Sequence, residues 1–212
     1  MRSVRRVTSR RPEPQPGPAL HVRHERADDA DAVRTLIAEA FGDEVVSRLK
    51  DALVASPAGR DRLSFVAEAD GVVVGHVLYT RNLLDAPRRL VDVLVLSPVA
   101  VAPAHQGNGI GSELIRRTVE SLLHGEFPLI FLEGSPRFYP RFGFLPAGNL
   151  DFRKPSLRIP DAAFQVLPLS RFEPWMTGTL IYDQLFWQLD CVGLRDAEAS
   201  LPVPGPARPP RS

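Results

Sequence analysis

The spacing of apolar residues changes along the chain, and each spacing predicts a different secondary-structure element. Residues 20–26 alternate enough for a strand, and Asp28 then stands where an N-cap would begin a helix that Gly42 ends. A second helix is predicted from apolar residues that recur at intervals of three to four, namely Val45, Val46, Leu49, Leu53 and Val54. Pro57 stops that helix, and beyond it the period changes to that of strands.

Three antiparallel strands are predicted next. Residues 63–69 and 72–82 read as two strands joined by an Asp-Gly pair, which is a strong signal for a tight hairpin. A third strand covers residues 90–101. Pro98 cannot donate a backbone hydrogen bond to a neighbouring strand, so we expect a bulge or a sheet edge near it.

The second half of the chain predicts a crossover followed by weaker strands. A helix with one apolar face is predicted to end at Gly125, and "PLIFLEG" then reads as a short buried strand. "SPRFYPRFGFLPA" reads as a compact helical turn, and residues 164–169 and 176–182 read as further strands. This order predicts an α+β fold, a mixed and mostly antiparallel central sheet with one βαβ crossover, flanked by helices.

Length and composition predict one domain between two tails. The chain has 212 residues, 44% of them hydrophobic, which suffices for one sizeable core. Residues 1–26 hold seven arginines against two glutamates and are interrupted by prolines. We therefore expect a disordered tail at residues 1–19, a folded domain at 20–195 and a Pro-rich disordered tail at 196–212.

Several classes of protein are disfavoured by what the sequence lacks. The basic leader contains no aromatic residue for base stacking, so we predict no nucleic-acid partner, although recruitment through this leader is kept as a rival hypothesis. No apolar run predicts a secretory signal or a membrane span. Cys191 is the only cysteine, and the histidines lack spaced ligand partners, so neither a disulfide nor a metal site is predicted. A cytoplasmic protein, monomer or homodimer, is expected.

The segment "QGNGIG" concentrates glycine between a predicted strand and a predicted helix. A triphosphate loop would need a lysine, which is missing here, and a dinucleotide loop would need a third glycine where Ser112 stands. The spacing of Gln106, Gly109 and Gly111 instead favours an anion site, because backbone N–H groups at a helix N-terminus attract negative charge. A plain glycine-rich turn is the alternative.

Two motifs resemble those of the GNAT superfamily of N-acetyltransferases. "SPVAVAPAHQGNGIGSELI" is similar to its acyl-CoA-binding motif, and "FYPRFGF" to its Y-x-x-x-GF segment. The resemblance runs from about residue 22 to 147 and looks closest to a bacterial subgroup. It implies acetyl-CoA as co-substrate, a strand backbone at Val99, Ala100 and Val101 that pairs with the pantetheine arm, and a loop that holds the pyrophosphate. The implied loop residues are Gln106, Gly107, Asn108, Gly109, Ile110, Gly111 and Ser112.

The resemblance also implies a reaction, the direct transfer of an acetyl group to an amine through a tetrahedral intermediate. Tyr139 matches the family's general acid, and a core tyrosine is the alternative. A backbone N–H at the bulge, Val101 or its neighbour, would stabilise the oxyanion. Glu133 and Glu68 are the candidate general bases, with a solvated surface carboxylate as the alternative for each.

The acceptor is less defined than the donor. The subgroup commonly shows Leu-Gly-Asp before the tyrosine pair, where this chain has Glu133-Gly134-Ser135, so the acidic group stands two positions earlier than in the subgroup. A small-molecule or peptide amine is expected, and a catalytically inactive acyl-CoA-binding module is the alternative to an acyltransferase. A late aromatic segment could line an acceptor pocket or close the core, and core is favoured for its residues Trp175, Tyr182, Phe186 and Trp187.

Overall fold

A computed structural model describes residues 20–61 and 63–195 of the chain. The tails predicted at residues 1–19 and 196–212 lie outside the described residues. The strands are β1 (Leu20–His24), β2 (Ser64–Ala69), β3 (Val72–Asp85), β4 (Leu90–Val101), β5 (Leu129–Glu133), β6 (Leu145–Pro146), β7 (Phe152–Arg153), β8 (Phe164–Pro168) and β9 (Gly178–Ile181). The helices are α1 (Ala30–Phe41), α2 (Val45–Ala55), α3 (Ile110–Leu122) and α4 (Gln184–Gln188).

The strands form one mixed sheet in the order β1-β2-β3-β4-β5-β8-β6. Every neighbouring pair along this order is antiparallel except β4 and β5, which are parallel and are connected through α3. β9 pairs with the end of β3, and β7 pairs with β9. The predicted fold, a mostly antiparallel sheet with one βαβ crossover, is confirmed.

Helices cover both faces of the sheet. On one face, Ile37 of α1 packs in a cluster with Ala100 of β4. On the other face, Leu114 of α3 packs in a cluster against which Val99 and Val101 also lie. Because side chains alternate along a strand, the end of β4 presents Ala100 to α1 and its two valine neighbours to α3.

The predicted bulge lies in β4. Leu78 of β3 faces two residues of β4, Ser97 and Pro98, where the register between the two strands shifts. Proline has no N–H to donate, so the ladder is interrupted there. Both ends of β4 also agree with the sequence prediction, residues 90–101.

Other predicted boundaries are corrected by tertiary contacts. β3 runs to Asp85, three residues further than predicted, because its end pairs with β9 as well as β4. Asp28 does not cap α1, which follows a 3-10 turn (Ala27–Asp29). The Asp29 carboxylate instead accepts a hydrogen bond from the Arg26 N–H (2.7 Å) and forms an ion pair with the Arg23 guanidinium (2.6 Å). The helix α3 ends at Leu122 rather than near Gly125.

A buried polar cluster ties α2 to the sheet. The Glu25 carboxylate accepts hydrogen bonds from Lys50 Nζ (2.5 Å) and the Ser64 hydroxyl, and it lies 3.3 Å from Nε2 of His76. Burial raises the pKa of Glu25, but the hydrogen bonds from these three partners outweigh burial and bring it to about 2. Burial lowers the pKa of His76, which favours the neutral imidazole. Buried charge is tolerated here because it is paired.

Candidate active site

The sheet opens between its two parallel strands. β4 and β5 pair at only two register positions, the last of them Val95 with Phe131, although both strands continue further. The end of β4 therefore has β3 on one side and a gap on the other. A strand edge of this kind carries unpaired N–H and C=O groups, to which an extended ligand can bind as an added strand.

The hydrogen-bond pattern shows which backbone groups point into this gap. The Ala102 N–H donates to the Val74 carbonyl (3.0 Å), and bonded pairs alternate along an antiparallel ladder. Val99 and Val101 therefore direct their N–H and C=O groups away from β3 and towards the gap. The Gln106 side chain confirms the direction, since its Nε2 donates to the Val101 carbonyl (2.9 Å).

The glycine loop leads from β4 into the N-terminus of α3. Gly107 and Gly109 have φ values of 79° and 81°, and a Cβ atom at either would meet nothing within 4 Å. These two glycines are therefore required by the backbone conformation, not by crowding. The Glu113 N–H bonds the Gly109 carbonyl (3.0 Å), so the N–H groups of the preceding helical turn are left for an anion.

A cleft of about 420 Å³ lies over this loop, and we call it the loop cleft. Eight of the ten predicted cofactor residues line it: Val99, Val101, Gln106, Gly107, Gly109, Ile110, Gly111 and Ser112. Ala100 does not, because its side chain packs towards α1. Asn108 does not line it either, and its Nδ2 donates to the His105 carbonyl (3.4 Å).

Three residues of the loop cleft were missed by sequence reasoning. His105, Phe138 and Arg141 also line it, and the Arg141 guanidinium lies 5.0 Å from the centre of the Phe138 ring. The signal for Arg141 was its place inside the "FYPRFGF" motif, where a basic residue next to a predicted anion site could have been noted. Arg141 adds positive charge to that of the helix N-terminus.

A second cavity, of about 790 Å³, adjoins the first, and we call it the Tyr139 pocket. Val99 and Phe138 line both cavities, so the two share a wall at the end of β4. Tyr139 and Glu133 both line the Tyr139 pocket. The structure thus brings the predicted acid and one predicted base into one cavity.

Tyr139 is held in place from several sides. It begins a 3-10 turn (Tyr139–Phe142), and its ring packs edge-on against Phe138 and Phe144, with centroid separations of 5.0 and 5.7 Å. The ring also lies so close to Gly134 that a Cβ there would be 2.3 Å from Cε2. Burial raises the pKa of Tyr139 to about 12, so its phenol is protonated at neutral pH and can donate a proton or a hydrogen bond.

Glu133 ends β5 and is positioned by two hydrogen bonds. One carboxylate oxygen accepts from the Tyr182 hydroxyl (2.8 Å) and the other from the Gly193 N–H (3.0 Å). Burial raises the pKa of Glu133, and these hydrogen bonds offset only part of that rise. A carboxylate whose pKa is raised towards neutrality is a better proton acceptor than a solvated one.

Glu68, the other predicted base, is placed elsewhere. It lies on β2, forms an ion pair with Arg23 (2.8 Å), and lines neither the loop cleft nor the Tyr139 pocket. This correction follows from the sheet order, because β3 and β4 separate β2 from the gap. Glu68 is removed from the candidate bases.

The late aromatic residues divide between the two predicted roles. Tyr182 and Phe186 are buried in the core and also line the Tyr139 pocket. Trp175 lies beneath Arg88 and Arg89, at 5.1 and 5.4 Å from ring centre to guanidinium, and Trp187 is 43% exposed. The preference for core therefore holds for Tyr182 and Phe186, which also form a pocket wall, and the half-buried Trp175 packs against the same core cluster.

The described residues contain neither a cluster of metal-binding side chains nor a helix that could cross a membrane. Within residues 20–61 and 63–195, no group of three or more His, Cys, Asp or Glu side chains is arranged to hold a metal ion. Over the same part of the chain, no helix is both long and apolar enough to cross a membrane.

Comparison with known proteins gives consistent matches. Residues 30–144 match the model of the Acetyltransferase (GNAT) family. The uncharacterized N-acetyltransferase YjhQ of Escherichia coli K12 is 34% identical over 128 residues, which are 60% of this chain and 71% of that protein. A second relative, the uncharacterized N-acetyltransferase YhbS of the same strain, is 28% identical over 148 residues, which are 68% of this chain and 84% of that protein.

Two solved structures superpose on most of the chain. The crystal structure of E. coli YhbS in complex with CoA gives a TM-score of 0.69 at 25% identity, covering 82% of this chain and 95% of that one. The crystal structure of a GNAT family acetyltransferase from Brucella melitensis in complex with acetyl-CoA gives a TM-score of 0.62 at 32% identity, covering 79% of this chain and 97% of that one.

Proposed function

Because the chain belongs to the GNAT acetyltransferase family, we propose that it transfers an acetyl group from acetyl-CoA to the amine of a small molecule or peptide. The observation that carries this proposal is the shared wall at Val99 and Phe138, which joins a cleft suited to CoA to a pocket that holds Tyr139 and Glu133. The similar structures from E. coli and B. melitensis hold CoA and acetyl-CoA, respectively. A cytoplasmic location and a monomer or homodimer stay predictions of the sequence.

The residues of the loop cleft fit a CoA molecule. The backbone groups of Val99 and Val101 that point into the gap can pair with the amides of the pantetheine arm, as a further strand would. The open loop around Gly107 and Gly109 and the α3 N-terminus can hold the pyrophosphate through backbone N–H groups. Arg141 contributes a positive charge from the side of the cleft.

In the reaction, the amine nitrogen forms a bond to the acetyl carbon while the bond from that carbon to sulfur breaks, giving an N-acetyl amide and the free thiol of CoA. We assign Glu133 to accept the proton that the amine loses and Tyr139 to supply a proton to the departing sulfur. Of the two N–H groups that point into the gap, that of Val99 is the backbone donor for the carbonyl oxygen, because Val99 also lines the Tyr139 pocket, and that of Val101 is left for the pantetheine arm. The Ala100 N–H bonds to β3 instead.

The test is a thiol-release assay on the full chain with acetyl-CoA and a panel of amines, compared with Tyr139→Phe. We expect the variant to bind CoA as tightly as the wild type and to lose about 100-fold or more in kcat, which is within the usual contribution of a general acid. Tyr79→Phe is the matched control, since Tyr79 is a buried tyrosine that lines neither cavity and whose hydroxyl is hydrogen-bonded to the Thr118 hydroxyl (2.7 Å).

The same assay decides the alternative, an inactive acyl-CoA-binding module. That alternative predicts CoA binding by the wild type but no thiol release with any amine. Release that survives the loss of the Tyr139 hydroxyl would instead remove Tyr139 from the mechanism while leaving the chain an enzyme.

A further inference from the structure

The Tyr139 pocket is lined by negative charge. Three carboxylates line it, those of Asp43, Glu133 and Asp190, and no Lys, Arg or His side chain is among its lining residues in the described part of the chain. Asp190 is bridged to Arg158 (3.1 Å) and Arg195 (2.5 Å), so its charge is largely compensated. Asp43 and Glu133 have no such salt bridge in the described part of the chain, although the charge of Arg158 also lowers the pKa of Glu133.

Asp43 and Glu133 are bound by neutral donors. Asp43 accepts the Val45 N–H (2.8 Å) at the start of α2, and Glu133 accepts the Tyr182 hydroxyl and a backbone N–H. Neither forms an ion pair within residues 20–61 and 63–195. Each carboxylate can therefore attract a cation brought by a ligand.

The carboxylates act on the same region of the pocket. Cys191 also lines it, and its pKa is raised first by burial and then by the charges of Asp43, Asp190 and Glu133. All three carboxylates therefore lie close enough to Cys191 for their charges to act on its thiol.

Most of the remaining wall is apolar and aromatic, with Ser97 and Ser135 as the exceptions that carry a hydroxyl on an aliphatic side chain. Phe41, Leu49, Tyr139, Tyr182 and Phe186 line it, and the first of these is 46% exposed at the mouth. Aromatic faces bind both hydrocarbon and positively charged nitrogen. The pocket therefore combines an apolar container with an acidic wall.

Building on the proposed function, we propose that the acceptor is an organic cation, an amine on an apolar or aromatic body that carries no carboxylate. In a free α-amino acid the carboxylate is two bonds from the amine, so binding the amine beside Glu133 would bring like charges together. The corresponding decarboxylated amine avoids this repulsion. The pocket thus selects amines over the amino acids from which they differ by one carboxylate.

The test uses pairs that differ only in that group: tyramine and tyrosine, phenethylamine and phenylalanine, cadaverine and lysine. Full-length protein is measured in two ways, by thiol release with acetyl-CoA and by calorimetric binding in the presence of saturating CoA. We expect the amine of each pair to be favoured about tenfold or more in both, with the difference narrowing as salt is raised.

Asp43→Asn provides the variant test. We expect it to weaken tyramine binding severalfold and to reduce the preference for tyramine over tyrosine. Asp28→Asn is the matched control, because Asp28 is exposed and lies outside the Tyr139 pocket, and it should leave both unchanged.

The outcomes separate this inference from the proposed function. Equal or better binding of the amino acids, or no binding of any amine, overturns the acceptor class. Selective binding of the amines without thiol release supports the acceptor class and refutes the acetyl transfer. Thiol release that is faster with the amino acids supports the acetyl transfer and refutes the acceptor class.

Discussion

Gly134→Ala tests whether kcat depends on the exact position of the Tyr139 ring. A Cβ at residue 134 would lie 2.3 Å from Cε2, 2.9 Å from Cδ2 and 3.2 Å from Cζ of the Tyr139 ring. Carbon atoms in contact are ordinarily about 3.5–4.0 Å apart, so the ring must retreat by roughly 1.2 to 1.7 Å. Phe138 and Phe144 pack against the ring and oppose this movement.

A displacement of that size has a calculable consequence. Misplacing a catalytic group by about 1 Å can lower the rate by about 100-fold, so we expect kcat to fall by about that factor. Overpacking costs about 1–3 kcal/mol, which for a chain of this length lowers Tm by roughly 3–9 °C. The affinity for CoA should not change, since Gly134 does not line the loop cleft.

The assay is thiol release with the best amine of the panel, together with calorimetric CoA titration and thermal unfolding. Gly148→Ala is the matched control, because a Cβ there would meet nothing within 4 Å. In the Tyr139→Phe background, Gly134→Ala should give little further loss, since the displaced hydroxyl is already gone. A folded Gly134→Ala protein with wild-type kcat would refute the reasoning.

Three further predictions concern charge and backbone. Because the pKa of Glu25 in the folded protein is about 2, against an ordinary value of 4.5, its cluster should add about 3 kcal/mol of stability above pH 4.5 that is lost as the pH falls towards 2. The lowered pKa of His76 also makes the folded protein less stable as the pH falls below 6.5. In urea unfolding, the free energy of unfolding of Glu25→Gln should depend less on pH below 4.5 than that of the wild type. Parallel curves for the two proteins would contradict this. In Gly109→Ala a side chain at φ 81° costs about 1–2 kcal/mol, so the free loop should relax out of this conformation and CoA binding must restore it. Calorimetric CoA binding should therefore weaken by about tenfold, and an unchanged Kd would count against the loop as the pyrophosphate site. Tyr182→Phe removes a hydrogen bond that lowers the pKa of Glu133, so the acid limb of the pH profile of kcat/KM should move to higher pH. An unmoved limb would argue against Glu133 as the base.

Elements with a local signal were predictable from the sequence. β4 was placed at both ends because its apolar run is bounded by turn residues, and its bulge followed from Pro98, which cannot donate to a ladder. β6 and β7 have only two residues each, too few to show a period. They exist because they pair with β8 and β9, which are distant in the sequence.

The same distinction applies to the candidate site. The glycine loop and Tyr139 lie in contiguous motifs, so their chemistry could be inferred from neighbouring letters. Glu133 and Glu68 looked alike in the sequence, and only the sheet order separates them. The partners of Glu133 come from 49 and 60 residues further along the chain, so no local pattern could have indicated them.

The gap between β4 and β5 has a consequence for how long the protein survives. A sheet whose strands β4 and β5 separate after two paired positions is completed when a ligand binds between them. A ligand that binds only the folded state stabilises it by RT ln(1 + [L]/Kd), about 2.7 kcal/mol at one hundred times Kd. If CoA is that ligand, the supply of a metabolite sets the folded fraction of the protein. A cell depleted of CoA would then lose this protein faster to proteolysis, so its abundance would follow the CoA supply.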